Sequence, residues 1–123
     1  MGMEQSVVFP GRTPPEWPAV SALLKGRGVE VQMRMIDGEL AFPDEEPPAG
    51  WREVRVGHGG AMVTVRRQAD RVALVIWGNA DEAMRRLAAY LAWGFASAGD
   101  GKVMTDAGEL DAEAYGASTG ISS

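Results

Sequence analysis

The chain contains a single imidazole, His58, set in Gly57-His58-Gly59-Gly60. An imidazole titrates near neutrality and can serve as acid or base. No nucleophile or orienting acid stands near it in sequence, so a hairpin turn with an exposed His accounts for the segment better. The same glycines miss the spacing of a phosphate loop. A dinucleotide fingerprint needs Gly where Met62 stands, and the segment leads into a strand rather than a helix. No Walker motif is present. The absence of cysteine removes thiolate nucleophiles, disulfides and cysteine zinc sites, and one histidine cannot build a two-histidine site. Metal could be held only by carboxylates, in Asp44-Glu45-Glu46 or near the C-terminus. Neither group has the alternating spacing and central Gly of a calcium loop, so both read as solvated acids. A glycosidase-like carboxylate pair is a spatial arrangement that nothing in the sequence marks. No metal, cofactor or catalytic residue is expected, and the reading leans away from an enzyme.

What remains is the chemistry of contact. Trp51, Arg55, Met62, Arg66, Val75 and Trp77 fall on alternate positions of three consecutive strand-like segments. Trp, Met and Arg are the types enriched in the cores of protein interfaces. A solvated sheet face would instead resemble Glu30, Gln32 and Arg34. These six residues are the candidate partner-binding set. The alternative is that a terminal segment covers them within the monomer. A second candidate set, Met33, Met35, Phe42 and Leu91 with Arg52 or Arg67 anchoring an acidic group, would line a ligand pocket, although core filling is the ordinary role of such methionines.

The segments that must position these residues are legible. Val7 to Phe9 reads as a short strand. Thr13 and Glu16 have capping-box spacing, with Pro14 suited to the first position, and predict a helix over about 15–25. Val29 to Met35 alternates at every step, the mark of a half-buried strand. Asp37-Gly38 is a two-residue hairpin signal that pairs Met35 with Leu40 and Met33 with Phe42, all on one face. Residues 43–50, with three prolines and three acids, form a loop. Residues 51–56, 61–67 and 72–77 follow as an antiparallel meander. A four-residue turn at 57–60 pairs Val56 with Ala61 and Val54 with Val63; the next turn pairs Val65 with Leu74. The core face then carries Val54, Val56, Ala61, Val63, Val65, Val72, Leu74 and Ile76. Trp51 would face Arg66, and Met62 would face Trp77. Asn79 as N-cap opens a helix over about 80–98, with Met84, Leu87, Ala88, Leu91 and Phe95 on one stripe. Trp93 lies off that stripe, and Arg86 can reach Tyr90 one turn on. Residues 102–105 could add a short strand.

These elements predict a two-layer α+β domain over 1–110. A meander of about five antiparallel strands is packed by a long C-terminal helix, with a short N-terminal helix beside it. The order faintly suggests a helix-grip cup. Residues 111–123, rich in Ala, Gly and Ser, are expected to be a disordered acidic tail. The chain has 123 residues and a net charge of -5, ordinary for one globular domain. Residues 98–123 carry -4 of that charge and the rest only -1. This balance argues against nucleic acid, whose binders show a basic surplus. Ten of the twelve basic residues are Arg, whose planar cation suits carboxylate or phosphate. The longest uncharged run, Leu87 to Gly99, is too short to span a membrane. Met1-Gly2 with Ser6 fits a myristoylation pattern, but an added dipeptide before a native Met3 explains it better. A cytoplasmic location is expected.

Two functions follow as expectations. The first is a non-enzymatic binding or interaction protein that uses the outer sheet face, with a protein partner or a second copy. The alternative is a small-molecule-binding or enzymatic cup between the long helix and a curved sheet. A filled interior favours the first, a hollow one the second.

Overall fold

The computed structural model describes residues 3–76, 81–106 and 108–121. Over these residues the domain is α+β, with one antiparallel sheet and three helices. The strands are β1 (Met3–Val8), β2 (Gln32–Ile36), β3 (Glu39–Leu40), β4 (Glu53–His58), β5 (Ala61–Arg67), β6 (Arg71–Ile76), β7 (Lys102–Thr105) and β8 (Gly108–Asp111). The helices are α1 (Trp17–Gly26), α2 (Glu82–Gly99) and α3 (Ala112–Thr119). In space the strands run β3-β2-β4-β5-β6-β1-β7-β8. The meander is there, but the sheet has eight strands rather than about five. The N-terminal strand enters its interior between β6 and β7.

Local chemistry explains the boundaries. α1 starts at Trp17 with Glu16 at the N-cap, not at Pro14, and the N-cap side chain makes no capping bond. Pro18 decides this: in the first turn its missing N–H has no helical partner to lose, whereas deeper in the helix it would break the ladder. α2 is capped by Asp81, whose carboxylate accepts from the Met84 N–H at 2.8 Å. The expected cap, Asn79, lies outside the described residues, as does Trp77. Asp100 ends α2 in the left-handed region at φ 54°. Asp37 and Gly38 take φ of 49° and 87°, the two positive values of the expected hairpin turn. The Asp37 carboxylate also accepts from the N–H groups of Arg52 and Glu53, both at 2.9 Å. These bonds tie the hairpin to the start of β4 and hold the Asp37 carboxyl below its ordinary value of 3.8.

The helices pack on one sheet face. Leu91 and Phe95 of α2 are fully buried against Val54, Val65 and Leu74 in a single core cluster. α1 meets α2 at Gly94, where a Cβ would stand 3.1 Å from Val20, so the missing side chain sets their approach. Gly101 is tighter: a Cβ there would meet the Phe9 ring at 2.6 Å and the Val8 carbonyl at 2.8 Å. α3 flanks α2 with Tyr115 and Ile121 buried, and burial pushes the Tyr115 hydroxyl above its ordinary value. The expected disordered tail is therefore corrected over 112–121. Asp111 caps α3 by accepting from the Ala114 N–H at 2.8 Å, and two large apolar side chains suffice to dock a short helix. The long helix is central rather than C-terminal.

Candidate interaction surface

The face opposite the helices is assembled by strand register. Across β3, β2, β4, β5, β6 and β1, one row reads Leu40, Met35, Arg55, Thr64, Val75, Glu4. The next reads Glu53, Arg66, Ala73, Ser6. The β4–β5 turn is two residues, Gly59-Gly60, so Val56 pairs with Val63 and Val54 with Val65. Both registers differ by two residues from the expectation. Because side chains alternate with period two, the faces are unchanged. Val65 pairs with Leu74 as expected.

A bulge between Met33 and Met35 was not legible. It reverses the alternation of β2, so Met33 enters the core while Met35 joins the outer row beside Arg55. The expectation that Met33, Met35, Leu40 and Phe42 share one face is corrected accordingly. Met35 does pair with Leu40, but Leu40 and Phe42 are 89% and 74% exposed. The bulged Arg34 folds over Gly57, where a Cβ would stand 3.1 Å from its Nε. Gly57 thereby leaves room for a third outer-face guanidinium beside Arg55 and Arg66.

Of the six residues expected to form this surface, Arg55, Met62, Arg66 and Val75 lie on it. Trp77 lies outside the described residues. Trp51 does not belong: it precedes β4, where strand alternation does not apply, and turns into the core. Its ring centroid lies 6.4 Å from that of Phe95, and it is 2% exposed. Arg66 faces Glu53, not Trp51, and pairs with it at 2.8 Å. Met62 is 45% exposed, whereas the short side chains of Thr64, Ala73 and Val75 are buried beside longer neighbours. Arg55 is half-buried at the centre of its row and, among the described residues, has no hydrogen-bond or ion-pair partner.

The alternative pocket set is not brought together. Met33 and Leu91 are packed in the core, Met35 crosses to the outer face, and Phe42 and Arg52 face solvent. Arg67 is engaged by its own neighbours. Its Nε donates to the Trp51 carbonyl at 2.8 Å, its guanidinium lies 4.4 Å over the Trp51 ring, and it pairs with Glu16. The Trp51 Nε1–H is buried without a partner among the described residues.

Three clefts lie on the helix side of the molecule. The largest, about 370 Å³, runs between α1 and the 43–46 loop over Trp17. A second, about 310 Å³, lies between Arg27, His58 and Arg86, and a third, about 190 Å³, beside Tyr115. None is lined by a member of the expected pocket set. Among the described residues no group of three His, Asp or Glu could hold a metal, and no helix is long and apolar enough to cross a membrane. Comparison with known proteins returns no matching family model, no matching curated protein and no matching solved structure.

Proposed function

We propose that the protein is a non-enzymatic interaction protein whose contact surface is the outer sheet face, centred on Arg55. The observation that supports this reading is the half-buried Arg55 between Met35 and Thr64, which has no hydrogen-bond or ion-pair partner among the described residues. A carboxylate from another molecule would complete the hydrogen bonds of such a guanidinium in bidentate geometry. Met62, Met35 and Leu40 supply adaptable apolar contact around it. The fitting partner is a protein surface that presents an acidic side chain within an apolar ring.

The test is the double variant Arg55→Glu with Met62→Lys. Circular dichroism should show the fold retained, since substitutions at exposed or half-exposed sheet positions away from the core change stability little. Sedimentation reads self-association, and affinity capture from the source cells reads a heterologous partner. The wild type should associate and the variant should not. Equal association by both forms would overturn the assignment of this face. Self-association lost in the variant would make the partner a second copy, with Glu53 or Glu4 of one copy meeting Arg55 of the other.

A further inference from the structure

We propose that the cleft between the end of α1, the β4–β5 turn and the first half of α2 binds a small phosphate monoester. It is lined by Arg27, His58, Arg86 and Tyr90, with Ala83 and Leu87 among its apolar walls, and its volume is about 310 Å³. That lies at the lower end of the range usual for small-molecule sites. It is on the helix side of the sheet, so it is independent of the outer face.

The charges are arranged without compensation. Three basic side chains line the cleft and no acidic one does, among the described residues. Arg27 donates to the Ile121 carbonyl at 3.3 Å and lies 4.7 Å over the Trp93 ring. Arg86 lies 5.5 Å over the Tyr90 ring. These contacts orient both guanidiniums yet neutralise neither. The His58 Nδ1 is 2.8 Å from the Glu30 carbonyl. A carbonyl only accepts, so Nδ1 carries the proton and donates it, which leaves Nε2 as the uncommitted ring nitrogen. The Glu30 carboxylate belongs to a residue lining the neighbouring groove rather than this cleft. The two permanent positive charges of Arg27 and Arg86 match the charge of nearly -2 on a phosphate monoester better than that of a single carboxylate, with the His58 imidazole beside them. Leu87 and the Tyr90 ring offer an apolar wall for the group that carries the phosphate.

The experiment follows the His58 ring and Arg27 and Arg86 side-chain resonances by NMR. Phenyl phosphate, inorganic phosphate and sodium chloride are titrated at matched ionic strength. Phenyl phosphate should give saturable shifts and bind about ten-fold more tightly than inorganic phosphate, because its ring reaches the apolar wall. Arg86→Gln, on the exposed side of α2, should weaken it about ten-fold. Ala83→Glu should abolish binding while the fold is kept, since an acid in the first turn of a helix is favourable. Arg12→Gln, which alters the remote Arg12–Asp100 pair, should leave binding unchanged. Chloride shifts equal to those of phosphate would overturn the site. Equal affinity for inorganic and phenyl phosphate would overturn the monoester assignment. Full binding by Arg86→Gln would remove the guanidinium from the site and with it the proposal.

Discussion

Two adjacent rows of the same sheet show how the packed face differs from the outer one. On the helix side Val54, Val65 and Leu74 are fully buried. One residue along each strand, Arg55, Thr64 and Val75 face the other way. Both rows hold apolar side chains, so hydrophobicity alone does not separate them. The separation lies in how each guanidinium is used. Arg67, on the helix side, is spent on the Trp51 ring, the Trp51 carbonyl and Glu16. Arg55, on the outer side, is half-buried with no such partners among the described residues. A guanidinium whose donors are satisfied inside the fold is part of its structure.

The contrast can be broken at several points. The largest effect should come from deleting residues 112–123, which removes Tyr115 and Ile121 from the helix-side core. Two such side chains imply a loss of about 3–6 kcal/mol by denaturant unfolding. A small change would mean that α3 contributes little to the packed face. Leu91→Ala should lower stability by about 2–5 kcal/mol, as truncation of a fully buried leucine does. A near-neutral result would remove α2 as the cover of this face.

Arg67→Ala and Arg55→Ala sharpen the comparison directly. The first should lose about 1–3 kcal/mol, combining a cation–π contact and charge-assisted bonds. The second should lie within about 0.5 kcal/mol of wild type, because no internal interaction is lost. Equal losses on thermal unfolding would erase the distinction between the two arginines.

The smallest effect concerns the hairpin that carries Met35 and Leu40 to the outer face. Its Asp37 carboxyl is held low by N–H bonds from Glu53 and Arg52. A carboxyl whose folded pKa is depressed contributes its stability above the unfolded value and loses it as pH falls through the folded one. Asp37→Ala should therefore melt slightly below wild type at neutral pH. That gap should close as the pH drops below 3.8. A gap independent of pH would mean that the charge of Asp37 plays no part.

The alternation of the three meander segments, the Asp37-Gly38 turn and the stripe of α2 were all legible in sequence, whereas the unbroken alternation expected over 29–35 is interrupted by the bulge after Met33. Each is a local pattern whose period is the geometry of its element. The placement of Arg55, Met62, Arg66 and Val75 on the outer side of the sheet is unaffected by a two-residue error in turn length, because alternation repeats every two residues. Trp51 failed because the same alternation was extended back before the start of β4. Met35 failed because a bulge leaves no mark in composition. The chain by itself also determined that cysteine chemistry and two-histidine sites are excluded, since those follow from counts alone.

Only tertiary structure decided the rest. It placed β1 between β6 and β7, a choice among competing edges made by burial of Val7 against Val72 and Val103. It docked α3 on two buried side chains, although the segment has the composition of a tail. It drew Arg27, His58 and Arg86 from a helix end, a hairpin turn and a second helix into one cleft. No periodicity links those three positions. They meet because α1, α2 and the strands β4 and β5 each bury an apolar face in the same core, and the polar ends left at its rim converge.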